Sequence, residues 1–296
     1  LETLYDIRVY SASNEEIEKQ WSSLELKSRC TFFLSWQWVK AWLISFSPDV
    51  KLLVAKCEEE VVALALVTEK GEVRHGLLRS RVLRFGRTGN PIEDQIWPEY
   101  GGILIADGHQ DTLPAQLVEY LCRQGGWDEI ELAATPDQEL EKYQISPLIS
   151  VEKWSAPSYG VDLDCLSANQ QSFSSSLSRN TRYQINRCRK RYLKREQLRF
   201  EVLNTFDSIE SVWPLMADLH RQRWDHTPEK SGFSNPGFVG FHKRLIEAAC
   251  TMGLVEVCVL WQGDRFIGGL LNYLYKNRVY FYLSALVQEQ DAHLKP

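Results

Sequence analysis

The sequence predicts a mixed α+β fold made of two copies of one unit, each a mostly antiparallel sheet flanked by helices. Two observations predict it. Helical and strand periodicities follow one another as helices, a group of strands, a helix and a strand, and then helices and strands return. The stretches LLVAKCEEEVVAL (52–64) and VCVLWQGDRFIGG (257–269) also share a pattern, an apolar strand, a charged turn and a second apolar strand. Val54 matches Val259 and Val62 matches Ile267, both 205 positions apart, and a pair of helices precedes each stretch, the mark of an internal duplication.

The elements follow in order. YDIRVYS (5–11) reads as a first strand. Residues 14–26 place Ile17, Trp21 and Leu24 at helical spacing, with Asn14 as the candidate cap. Residues 35–46 form a second helix, capped by Ser35, with Trp38, Trp42 and Phe46 on one stripe. Two strands around the acidic turn at 58–60 come next, then strands at 81–86 and 100–106 with the loop RTGNPIEDQIWPE between them. A helix over 112–124 stops at Gly125 and Gly126, and WDEIELAAT is a strand. The polar, serine-rich run 169–179 is a connector, and a long helix follows it. In the second unit LRFEVL is a strand, 208–224 and 238–250 are helices, and the remainder reads as three strands turning at Gln262-Gly263-Asp264 and Lys276-Asn277. The implied domains are 1–165, a connector with the long helix over 166–197, and 198–296.

Composition narrows the function. No apolar run approaches the roughly 20 residues of a membrane span. The opening LETLYDIRVYSASNEEIEKQ lacks the basic-then-apolar pattern of a secretory leader. Seven scattered cysteines without a CxxC pair read as small core hydrophobes in a reducing compartment, and the six histidines show no metal-ligand spacing. The expectation is a cytoplasmic protein without a metal, at the inner membrane face if its acceptor is lipid-linked.

Charge is unevenly placed. RNTRYQINRCRKRYLKREQLRF (179–200) holds nine Arg and Lys against one acid, which leaves 25 basic and 38 acidic residues, or −13, elsewhere. Leu177, Thr181, Ile185, Cys188 and Tyr192 form one helical stripe, expected to be packed, with basic side chains on the other faces. A solvated face, a phosphate site and a nucleic-acid or lipid contact are the three readings of such a block. One basic helix in a −13 remainder is a poor nucleic-acid footprint. Arg187 and Arg191 are the candidates for a phosphate-bearing acceptor.

The order of elements resembles the N-acetyltransferase (GNAT) superfamily. FFLSWQWVKAWLISF (32–46), SLSRNTRYQINRCRKRYLK (176–194), LHRQRW (219–224) and GDRFIGGLLNYLYKNRVYFYLSA (263–285) are similar to the FemAB-like and CelD-like double-domain acyltransferases of cell-wall and exopolysaccharide synthesis. The resemblance implies an acyl-CoA donor, with acetyl-CoA the first choice, and an amino-sugar or envelope precursor, small or lipid-linked, as acceptor. Two alternatives stay open: aminoacyl-tRNA as donor, with RNA on the basic helix, and a non-catalytic binding module. In the resembled fold the strand at 278–287 lies beside the thioester and leads into a glycine-containing turn and helix that hold the cofactor pyrophosphate. The sequence reads DAHLKP where that turn is due, so the second unit is expected to be C-terminally incomplete. GRTGNP (86–91) in the first unit is a weak phosphate candidate, because loop follows it.

Direct attack of an amine on a thioester needs a base, donors for the developing oxyanion and a proton for the leaving thiolate. No GxSxG-type nucleophile motif appears. LHRQRWDHTPEKSGF (219–233) leaves a helix for a polar loop and supplies Asp225, His226 and Glu229 as base candidates. The resemblance places Arg223 and Trp224 on the acceptor channel. On the last strand strict alternation puts Tyr280, Tyr282 and Ser284 on one face, with Tyr282 or Ser284 toward the acceptor and Asn272 on the neighbouring strand.

Overall fold

The computed structural model describes residues 4–194 and 197–289. The first unit runs β1 (Asp6–Tyr10), α1 (Asn14–Glu25), a 3₁₀ turn (Phe32–Leu34), α2 (Trp36–Phe46), β2 (Lys51–Cys57), β3 (Glu60–Arg74) and β4 (Leu78–Phe85). It adds β5 (Leu104–Ile105), α3 (Leu113–Gln124) and β6 (Glu129–Glu131). Three short helices, α4 (Asp137–Leu140), α5 (Leu163–Ala168) and α6 (Phe173–Ser176), lead to the basic helix α7 (Arg179–Leu193). The second unit is β7 (Leu198–Leu203), α8 (Phe206–Trp224), a 3₁₀ turn (Gly232–Ser234), α9 (Pro236–Thr251), β8 (Val255–Gln262), β9 (Arg265–Tyr275) and β10 (Arg278–Leu286).

The duplication is real in topology. The first sheet is ordered β1-β2-β3-β4-β6, with β5 on β3, and the second β10-β9-β8-β7, so β1 to β4 repeat as β7 to β10. The two central hairpins agree residue by residue. Lys56 faces Val61 and Cys57 faces Glu60, as Trp261 faces Phe266 and Gln262 faces Arg265. Each hairpin bulges at the same place, between Ala55 and Lys56 and between Leu260 and Trp261. A bulge adds a residue and bends the strand, so its retention at one offset is a structural signature of common design.

Local chemistry explains the helices. The side chain of Ser13 accepts from the Glu16 N–H at 3.2 Å, so Ser13 caps α1 where Asn14 was expected; Asn14 is already helical. Ser35 caps α2 as expected, and Thr205 and Asn235 cap the matching α8 and α9. The strand expected over 100–106 shrinks to Leu104–Ile105, because only Ala63 and Leu64 of β3 are left to pair with it.

One hydrophobic core spans both units. Helix α2 packs on α9, with Trp38 edge-on to Phe241 at 4.9 Å, and Phe32 of the first unit stacks on Tyr273 of the second at 4.2 Å. Lys276 Nζ donates to the carbonyl of Glu25 at 2.7 Å, tying the β9–β10 turn to the end of α1. Two expectations fail on packing. None of the seven free cysteines is fully buried, and Cys122 and Cys165 are exposed. The stripe on α7 is not packed along its length. Tyr192 is buried beside Ile267, while Ile185 is 50% exposed, since the body lies only under the last turn.

Candidate active site

A cleft opens between the units; the stretch 127–164 supplies about half of its lining, and three further walls complete it. The first is the loop after β4. The Asp94 carboxylate accepts the backbone N–H groups of Thr88 at 2.8 Å and Gly89 at 2.9 Å, which fixes the RTGN turn. A 3₁₀ turn (Glu93–Ile96) then delivers Trp97 at φ 45° and ψ 71°, left-handed backbone for a bulky residue that also precedes Pro98. Such a conformation costs about 1–3 kcal/mol and persists where surrounding structure enforces it. Trp97 is 58% exposed and, like Glu99, lines the cleft. The walls around Glu99 raise its carboxyl above the usual range by desolvation.

The second wall is the turn after α8. Asp225 accepts the Ser231 N–H at 3.1 Å and the Ser234 hydroxyl at 2.9 Å, and the Ser231 N–H above all holds its carboxyl below the usual range. His220 meets the Ser231 hydroxyl at 2.8 Å, and burial lowers it to about 4. This wall is bonded to the first: Asn235 Nδ2 donates to the Ile92 carbonyl at 2.7 Å, and Gln95 Nε2 to the Glu229 carbonyl at 3.2 Å.

The third wall is the end of the β9–β10 hairpin. Here β10 bulges: Phe281 opposes Asn272 and Leu283 opposes Leu271, which leaves Tyr282 as the extra residue. The expected alternation is therefore broken. Tyr280, Leu283 and Ala285 oppose Tyr273, Leu271 and Gly269 on the core face. Tyr282 joins them among Phe33, Trp38, His242 and Tyr273. Ser284, opposite Leu270, turns to the other face with Phe281 and Asn272. The Tyr282 hydroxyl donates to the Ile96 carbonyl, and burial pushes it well above the phenol range. Among the described residues β9 is the only strand that pairs β10.

Of the residues singled out in the sequence, Glu229 and Tyr280 line this cleft, and Tyr282 stands behind it through Ile96. Arg223 lies over the Trp224 ring at 5.1 Å, away from the lining, and His226 is exposed beyond it. Asn272 donates to Glu256 at 3.1 Å on the opposite face of the sheet. Arg187 and Arg191 sit on α7, which contributes nothing to the lining; Arg187 bonds Gln184 at 2.6 Å and lies over Tyr183. Trp97 and Glu99 escape sequence reasoning, although a tryptophan next to proline in a polar loop is a usable signal.

With this geometry in view, residues 179–296 match the model of the acetyltransferase (GNAT) domain family. The second unit is thus similar to a GNAT-type domain. No curated protein matches the chain. Among solved structures, a conserved protein of unknown function from Bacteroides thetaiotaomicron is similar at 13% identity and a TM-score of 0.47, over 90% of this chain and 75% of that one. Among the described residues no helix is long and apolar enough to cross a membrane, and no cluster of His, Cys, Asp or Glu is arranged to hold a metal. Residues 290–296, where the sequence suggested a truncated phosphate turn, lie outside the described residues.

Proposed function

We propose that the protein transfers an acyl group from an acyl-CoA thioester to an amine, with the donor held along β10 and the acceptor entering by the cleft between the units. The acetyl group is the simplest cargo, and an amino sugar or related envelope precursor the acceptor class that the resemblance favours. The observation that carries the reading is the bulge at Tyr282 on β10, the edge strand of the second sheet among the described residues, within the stretch that matches the GNAT-type domain. A bulge frees backbone groups from the ladder, and an open edge offers N–H and C=O groups to an extended, amide-bearing ligand. The pantetheine arm of coenzyme A is such a ligand, and an N–H released by the bulge is a donor for the thioester oxygen as it becomes an oxyanion.

The first unit lacks this device. Phe85 opposes Val67 in β3, as Phe281 opposes Asn272, the residue 205 positions on, in β9. Strand β4 stops there, β5 takes up Ala63 and Leu64, and β6 closes the other edge of β4 from Val82 to Arg84. The donor site is therefore assigned to the second unit. Asp225, already occupied by Ser231 and Ser234, serves as a hinge post of the turn, and Glu229 is the base candidate of that turn that reaches the cleft.

The test is thiol release from acetyl-CoA in the presence of a panel of primary amines. The reading predicts amine-dependent release of coenzyme A that saturates in both substrates. Release at the same rate with and without amine, for every member of the panel, contradicts it.

A further inference from the structure

We infer that the acceptor amine is received by the first unit, on Trp97 and Glu99, and presented across the cleft to the donor strand of the second. The inference rests on the acyl-transfer reading and names its acceptor site. Trp97 offers an open indole face to the cleft from a left-handed backbone that the Asp94-pinned loop enforces. An exposed tryptophan in a strained conformation inside a cleft is paid for elsewhere in the fold, and such outliers concentrate at ligand sites. Glu99, two residues on, lines the same cleft and has no hydrogen-bond or ion-pair partner among the described residues. Ile96, the residue before Trp97, accepts the hydroxyl of Tyr282, the bulge residue of β10. The segment 96–99 is thus moored to the point on the donor strand where the ladder opens.

The chemistry of this pair selects a ligand class. An indole face favours a ring with an apolar face and attracts a cation, and an unpaired carboxylate beside it favours an ammonium. A hexosamine carries both. The proton balance then closes. The ammonium gives one proton to the Glu99 carboxylate, which takes the base role in place of Glu229 on the facing wall, and the freed lone pair attacks the thioester carbon. The C–N bond forms and the C–S bond breaks, a second N–H proton leaves with the sulfur as thiol, and the third stays on the amide. Glu99 later returns its proton to solvent.

The experiment is isothermal titration of the full chain with glucosamine, with N-acetylglucosamine as the ring without the ammonium, and with coenzyme A. The chain is compared with its Trp97→Ala, Trp97→Phe and Glu99→Gln variants. Glucosamine is expected to bind, and N-acetylglucosamine to bind about tenfold more weakly, the scale of one charge-assisted contact. Trp97→Ala and Glu99→Gln each weaken glucosamine by about tenfold, Trp97→Phe restores most of the loss, and coenzyme A binds all four proteins alike. Glucosamine binding that is absent, or unchanged from the native chain in both Trp97→Ala and Glu99→Gln, overturns the inference. Coenzyme A failing to bind while glucosamine binds as described leaves this site standing and removes the acyl-transfer reading.

Discussion

His242 is buried in the second unit, with its ring against Phe238, Phe241, Trp213 and Tyr282, and Phe241 and Tyr282 in turn meet Trp38 of the first unit. Burial lowers it to about 4, against the hydrogen bond to the Phe238 carbonyl, which works the other way. Its folded pKa lies below its unfolded value of about 6.5, so its contribution is complete above that pH and is lost as pH falls through about 4. For one such residue the loss is about 3 kcal/mol at most. The melting temperature is therefore expected to fall between pH 6.5 and pH 4, and His242→Leu to lose less over that interval than the native chain; an identical fall in both proteins would remove His242 from the explanation. Tyr282→Phe leaves the Ile96 carbonyl without its buried donor and is expected to cost about 1–3 kcal/mol in denaturant unfolding. At this scale the sequence was least legible. Alternation placed Ser284 beside the tyrosines, and one bulge reversed it, because an inserted residue leaves no mark in a run of β-formers.

Helix α7 shows what an element reveals before its neighbours are known. Its period and its charge were legible because both are local, while its cap, Ser178, lay unmarked in the serine-rich connector. Its packing was not legible either, since the partner of the stripe is set by chain segments far away. Tyr183 and Ile185 stand 60% and 50% exposed, and among the described residues Tyr192 is the buried side chain of the helix, in a small cluster with Ile267. Arg187 and Arg191 are both half-buried on that helix, and Arg187→Ala with Arg191→Ala is expected to cost about 1 kcal/mol of native stability. Tyr192→Ala removes a buried ring and is expected to cost about 3 kcal/mol. Urea melts of both variants decide the matter, and a double arginine variant as unstable as Tyr192→Ala would make the basic face structural. The hairpins, by contrast, were readable in outline, though not their shared bulge. Their turns are short and charged, and a 205-residue offset carries the pairing and the bulge from one copy to the other.

For the molecule as a whole, duplication has produced two units that share one core, and the proposed reaction divides the work between them. Phe32 on Tyr273, Trp38 on Phe241 and Asn235 on Ile92 are contacts between copies, so neither copy is closed on its own. Residues 4–144 or 179–289 prepared alone are expected to lack a cooperative thermal transition, and a sharp one in either fragment would show two independent cores. The fold class was legible because its signals repeat along the chain. The cleft was not, because it is assembled from a loop of one copy and a strand of the other. The most direct test of that division of labour is hydrogen–deuterium exchange with and without saturating acetyl-CoA. Slowed exchange over 280–286 in β10, with 82–85 in β4 unchanged, is the predicted result. Slowing confined to β4, or absent from both strands, would contradict it.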